Sequence, residues 1–375
     1  MRTVFAGADV FDGTVLHRGA SVVVDSGIVS QILPAGATAS GAVERLAGGI
    51  LAPGFIDLQV NGGGGWQVDG RATAAKLADL CAVHARLGAT GILPTLITDT
   101  PQATAAVIAA GVAAVGVPGF LGLHLEGPHL DPRRKGAHDP ALIRPMAEAD
   151  LARLLEAAAL LPALMLTVAP EAVTPDQIGR LAAAGVVVSL GHSDCDAGTA
   201  RQAEAAGARC ATHLFNAMSQ LGNREPGLVG AVLSGSMAAG MIADGLHVAP
   251  ATMRVALAAR DKGIFLVSDC MGVAGTDATE LRLGGRRILR QGGRLVLEDG
   301  TLAGADLTLD RAVGVLVREV GVAPERALAM ATSVPAAVIG AADRHGHLAA
   351  GRAATFVHLD KSCVLQAVWR DGQRI

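Results

Sequence analysis

The chain has 375 residues, 51% hydrophobic and 17% charged, which provides for a large buried core and excludes a disordered polymer. A formal net charge of −3, from 31 basic and 34 acidic side chains with no basic run beyond Arg133-Arg134-Lys135, excludes a nucleic-acid groove. Tyr is absent and aromatics make up 2%, which excludes tyrosyl acid–base chemistry and base-stacking platforms.

The opening Met1-Arg2-Thr3-Val4-Phe5 has no apolar signal-peptide core and runs into an Asp-Gly turn. Residues 1 to about 50 predict short strands between turns at Asp12-Gly13, Asp25-Ser26-Gly27, Pro34 and Gly48-Gly49. The last 27 or so residues read the same way, through Thr355–Leu359 and Val364–Arg370. Isolated hairpins are marginal in water, so the two ends are expected to pair into one small β domain, residues 1–50 plus 349–375.

Residues 51–348 alternate apolar strand with Ala-rich helix. Strands are predicted at 54–60, 91–97, 120–125, 164–168, 186–190, 209–212, 239–242 and 264–267. Helices fall between them, including 73–87, 176–184, 196–206 and 252–260. The uncharged run Ala105–Leu123 has the length of a membrane span, but Pro118 breaks it, and it reads as helix, turn and strand. A hairpin insertion with Gly284-Gly285 and Gln291-Gly292-Gly293 precedes a final helix, 307–320. Eightfold strand–helix alternation predicts the α/β class, a TIM-like (β/α)8 barrel. The runner-up, a doubly wound open sheet, lacks its glycine fingerprint, because Gly62–Gln67 does not complete GxGxxG. The five Cys are odd in number and form no CxxC pair, which predicts reduced thiols and a cytoplasmic protein.

Ionisable residues recur where strands end. Glu126 ends Leu121–Leu125, His192 follows Val187–Gly191, His213 follows Cys210–Thr212, and Asp269 follows Phe265–Ser268. The carboxyl ends of barrel strands converge on one rim. One such residue is more often an ordinary hydrogen-bonding group; four together predict a divalent cation site beside a base. Two nitrogens and one oxygen suit zinc, with iron, manganese and cobalt as alternatives. Gly191-His192-Ser193-Asp194-Cys195 lacks the last glycine of a nucleophile elbow, and there is no P-loop.

The segments Pro53–Asp57, Leu125-Glu126-Gly127-Pro128, Gly191-His192-Ser193, Thr212–Met218, Ala243–His247 and Ser268-Asp269 resemble, in order, those of the N-acetylglucosamine-6-phosphate deacetylases of the amidohydrolase superfamily. The resemblance implies that Glu126, His192 and His213 hold a metal, that Asp269 is the catalytic acid/base, and that His138 steadies the oxyanion. It implies substrate contacts at Ala137, His138, Asn216, Ala217, Arg224, His247, Leu302, Ala303 and Gly304. A homodimer is implied as well. Gln59-Val60-Asn61 stands where the superfamily often has His-x-His, so one metal ion per subunit is expected. Arg224 reads either as reaching a neighbouring subunit's site or as a surface partner of Glu225. His124 reads as a packing or supporting residue, His129 has no role, and Cys270 packs in the core.

The expected reaction is metal-dependent hydrolysis of N-acetyl-D-glucosamine 6-phosphate to D-glucosamine 6-phosphate and acetate. The galactosamine epimer, another N-acyl compound and an inactive scaffold are the alternatives. The partner is a phosphorylated amino sugar, with no nucleic acid and no membrane.

Overall fold

The computed structural model describes residues 2–375. Eight parallel strands follow one another around a barrel in chain order: Phe55–Val60, Ala89–Ile97, Leu123–Glu126, Leu164–Val168, Val187–Leu190, Cys210–Ala211, Ala238–Met241 and Ile264–Leu266. Segments buried on both faces are mostly apolar, and Phe55–Val60 and Leu164–Val168 are buried at every position, with Asp57, Gln59 and Thr167 as their polar exceptions. The stretch after the eighth strand closes the ring: Asp269 N donates to Gln59 O at 3.1 Å and Asn61 N to Cys270 O at 3.0 Å.

The outer helices start where the sequence offers an acceptor for their free amides. Thr73, Thr100, Thr174 and Asp196 each accept from the backbone three residues on, and Pro101 and Pro175 occupy first-turn positions. The run predicted as a strand over 120–125 forms regular pairing only from Leu123. Gly122 explains the late start: at φ +137° a Cβ there would meet Ala163 O at 2.0 Å. The uncharged run contributes the helix Pro101–Ala113, and among the described residues no helix is long and apolar enough to cross a membrane.

The two chain ends share one sheet. Phe356–Leu359 runs antiparallel to Ile50–Pro53, which in turn pairs with Asp9–Phe11. The strand Ile50–Pro53 therefore spans the boundary read at residue 50. A second sheet, built from Arg2–Ala6, Ser21–Asp25, Ile28–Leu33 and Ala42–Arg45, packs against it. Phe5, Phe356 and Trp369 meet between the sheets with ring centroids 4.8–5.4 Å apart.

The expected hairpin insertion is a four-stranded antiparallel sheet, Glu280–Leu283, Arg286–Gln291, Arg294–Leu297 and Leu302–Ala305. It has its own apolar cluster of Leu283, Ile288, Leu295 and Ala303 on Met271 and Val273, so it lies over the barrel rim as a cover. The predicted final helix spans Leu309–Val315 and widens into a π-type turn over Leu316–Val320.

Candidate metal centre and active site

Glu126 is the last residue of the third barrel strand, and His192 and His213 lie two residues beyond the fifth and sixth. His192, His213 and Asp269 adopt φ of +47°, +33° and +48°. This left-handed conformation is costly for residues with a Cβ and clusters at functional sites. Here it turns the chain sharply at the strand ends.

Three side chains converge on one point. Glu126 Oε1 lies 3.2 Å from His192 Nε2 and 3.0 Å from His213 Nε2, and the two Nε2 atoms are 3.1 Å apart. His192 Nδ1 donates to the Arg134 carbonyl at 2.7 Å, so in a neutral ring Nε2 carries a lone pair. A proton on His213 Nε2 would still leave His192 Nε2 facing Glu126 Oε1, electron pair to electron pair. A cation at their centre resolves that repulsion, and tetrahedral ligands about 2.0–2.1 Å from zinc are about 3.3 Å apart. The donor set fits a divalent metal. Burial works to raise the Glu126 pKa, but the two imidazoles that face it pull it well below the carboxylate range.

Two amides, Gln59 on the first strand and Asn61 just after it, contact the two carboxylates. Gln59 Nε2 lies 3.2 Å from each Glu126 oxygen, and Asn61 Nδ2 donates to Asp269 Oδ1 at 2.6 Å. Burial and the nearby Glu126 charge raise the Asp269 pKa to about 6, against the pull of His213 and Asn61.

His138 lies in a charged loop yet is only 3% exposed. Burial, then the neighbouring His192, push its pKa well below 6.5, so the ring is neutral. The Thr98 backbone N–H points at His138 Nδ1 (3.3 Å), and Thr98 Oγ1 lies 2.7 Å from the same atom. A backbone N–H can only donate, so Nδ1 accepts and the ring proton sits on Nε2.

Asn61, Glu126, His138, His192, His213 and Asp269 line a cavity of about 250 Å³ that also takes in Ala137, Asn216, Ala217 and His247. Leu302, Ala303 and Gly304 from the last strand of the cover form another wall. His247 Nδ1 donates to Asp244 Oδ2 at 2.6 Å, and Asp244 Oδ1 accepts from the Leu246 and His247 amides, an Asx-type turn. Arg224 stands apart. It is exposed, lies outside the cavity lining, and among the described residues forms no ion pair with Glu225, whose carboxylate accepts from Ala197 N and Gly227 N. The surface pairing considered for Arg224 is therefore absent.

His124 and His129 have partners away from this cluster. His124 is buried between Leu58 O and Thr167 Oγ1, and His129 contacts Arg144 O. Cys270 is buried against Gly62 O and His84. Thr98, the Arg134 carbonyl, and Gln59 and Asn61 as donors were missed by sequence reasoning. A carbonyl has no side-chain signature, but the departure of Gln59-Val60-Asn61 from His-x-His was a visible flag for the amides.

A family model described as the amidohydrolase family matches residues 50–375. An N-acetylgalactosamine-6-phosphate deacetylase of Shewanella sp. is 39% identical over 98% of this chain and 94% of its own. The structure of an N-acetylglucosamine-6-phosphate deacetylase from Pasteurella multocida superposes with a TM-score of 0.95, 30% identity and full coverage of both chains. A mutant N-acetyl-D-glucosamine-6-phosphate deacetylase from Mycobacterium smegmatis, in complex with N-acetyl-D-glucosamine-6-phosphate, gives 0.92 and 31% over 100% of this chain and 99% of that one.

Proposed function

This chain belongs to the amidohydrolase family, and from that premise we propose that it hydrolyses the acetamide of N-acetyl-D-glucosamine 6-phosphate to D-glucosamine 6-phosphate and acetate. The observation that carries the reading is the convergence of Glu126, His192 and His213 within 3.0–3.2 Å of one another, in one cavity with Asp269. Its volume, about 250 Å³, falls just under the usual range of roughly 300–1,000 Å³ and suits a single sugar.

The two imidazoles and the carboxylate would hold one divalent ion, zinc by ligand preference, with iron, manganese and cobalt able to use the same donors. When bound, such an ion lowers the pKa of water and polarises an amide carbonyl. A second ion has no comparable donors, because Gln59 and Asn61 turn N–H groups toward the two carboxylates.

Asp269 takes the proton of the attacking water and returns it to the sugar nitrogen, a role contributing about 10²–10⁴-fold when well placed. His138, neutral with its proton on Nε2, donates to the developing oxyanion, and Thr98 holds it in that tautomer. At the far end of the sugar, His247, Asn216 and the Ala217 amide face the phosphate, and Ala137 with Leu302, Ala303 and Gly304 encloses the ring. Arg224 completes phosphate binding from the neighbouring subunit of a homodimer, which its exposed position permits. The N-acetylgalactosamine 6-phosphate reading stands second, supported by the name of the Shewanella relative.

Acetate release by the purified protein, with metal content measured on the same sample, tests the proposal. Turnover of N-acetylglucosamine 6-phosphate above the galacto epimer and the unphosphorylated sugar supports it. Preference for an unphosphorylated amide overturns it, and preference for the epimer moves the substrate to the second reading.

A further inference from the structure

Asn61 lines the proposed catalytic cavity, and only one of its two side-chain polar atoms has a hydrogen-bond partner. Its Nδ2 donates to Asp269 Oδ1 at 2.6 Å, and because a carboxylate oxygen only accepts, that contact orients the amide. Its Oδ1 is buried with no hydrogen-bond partner, alone among the buried side-chain oxygens of the described residues. Buried polar atoms without partners are rare in folded proteins, and each calls for a reason. Glu126 Oε1 faces His192, His213 and Gln59, Glu126 Oε2 faces Gln59, and His138 Nδ1 faces Thr98, so besides Asn61 Oδ1 the second Asp269 oxygen is the remaining acceptor of these side chains, and the proposed chemistry uses it for the proton.

An acetamide brought into this cavity carries one N–H that needs an acceptor, and its nitrogen must lie beside Asp269 to receive a proton. Asn61, a hydrogen bond away from Asp269, adjoins that position. We infer that Asn61 contacts the substrate directly: its Oδ1 accepts the acetamide N–H while its Nδ2 holds Asp269 Oδ1, leaving the second Asp269 oxygen to carry the proton. The inference rests on the proposed deacetylation. When the C–N bond breaks, its electron pair stays on nitrogen and takes the proton that Asp269 received from water, while the hydroxyl of that water remains on the acyl carbon. In the tetrahedral adduct the nitrogen lone pair is a separate position from the N–H held by Asn61, so that pair stays free to take the proton from Asp269.

The test measures kcat/KM of the unaltered enzyme, Asn61→Ala and Asn61→Ser on N-acetylglucosamine 6-phosphate and on 2-O-acetylglucose 6-phosphate, at equal metal content per chain. The ester has no hydrogen on its leaving atom. The inference expects a loss of about a hundredfold on the amide and no more than about tenfold on the ester. Equal losses on both substrates would reduce Asn61 to a support for Asp269 and overturn it, as would undiminished amide turnover. The Ser variant provides the same comparison should the Ala variant fail to fold. Failure of the unaltered enzyme on phosphorylated N-acetyl hexosamines would instead strike the proposed function, and this inference with it.

Discussion

Asp57, on the first barrel strand, is 1% exposed and takes no part in the proposed chemistry. Its Oδ1 accepts from Gln59 N and Ser268 N, both at 3.2 Å, and among the described residues no Lys or Arg pairs with it. Burial pushes its pKa up to about 7, with the Asp269 charge adding to the rise and the Ser268 and Gln59 hydrogen bonds opposing it. The unfolded chain has a value near 3.9, so the fold binds this proton more tightly. The resulting stability is fully present below about pH 4 and is lost as pH rises through about 7. A gap of about 3 pH units at 1.36 kcal/mol each sets a ceiling of about 4 kcal/mol. Asp57→Asn keeps an oxygen for both backbone donors and never ionises, at a cost of about 1 kcal/mol for imperfect pairing of its NH2. The variant is expected to resist urea better than the parent at about pH 8.5, with the advantage shrinking toward pH 5. Circular dichroism at one saturating metal concentration reads this out, because bound metal stabilises both chains by mass action. Parallel urea midpoints for the two proteins across that range would show that Asp57 does not titrate as argued.

Three further perturbations separate metal, chemistry and fold. Glu126→Gln removes the anionic ligand and is expected to lower metal per chain at least about tenfold at limiting metal, measured by elemental analysis with folding checked in parallel; full occupancy would remove Glu126 from the metal site. Asp269→Asn is expected to cut kcat by about 10²–10⁴-fold with metal content unchanged, and retained turnover would take Asp269 out of the mechanism. Trp369→Ala empties the aromatic contact with Phe5 and Phe356 and is expected to cost about 3–5 kcal/mol in urea unfolding. Its kcat at low temperature is expected to match the parent, since the contact lies in the chain-end sheets.

The barrel was legible because most of its strands are largely apolar runs buried on both faces and four of the helices between them start at a Thr or Asp with the right spacing. The cover was read as a simple hairpin because Arg286–Gln291 is mostly charged or polar, and only Ile288 of that strand is fully buried. The cluster of Glu126, His192 and His213 could be anticipated because a barrel brings strand ends together whatever lies between them in sequence. His138 could not be derived that way. Its loop is rich in charge, and its hydrogen-bond partner Thr98 stands forty positions away without a distinguishing neighbour. Arg224 shows the converse limit: one chain leaves it in solvent, and nothing in its local sequence says whether a second chain covers it.

The geometry of the proposed metal site also rests on a polar layer inside the barrel. His124 Nδ1 must donate to the Leu58 carbonyl at 3.0 Å, so its Nε2, in a ring that burial keeps neutral with a pKa near 4, accepts from Thr167 Oγ1 at 2.7 Å. Thr167 then accepts from Thr212 at 2.6 Å, and Thr212 from Ser189 at 2.7 Å. One obligatory donor thus sets the direction of every hydroxyl in the chain, and aligned bonds of this kind polarise one another. The residues tied together belong to the first, third, fourth and fifth strands and the end of the sixth, and Thr167 is the register partner of Glu126 while Thr212 precedes His213. Apolar packing alone would tolerate small slips between such strands. A directed hydrogen-bond chain resists them, because a slip leaves a buried hydroxyl unpaired at about 1–3 kcal/mol. The separation of the three proposed ligand atoms is therefore set from beneath.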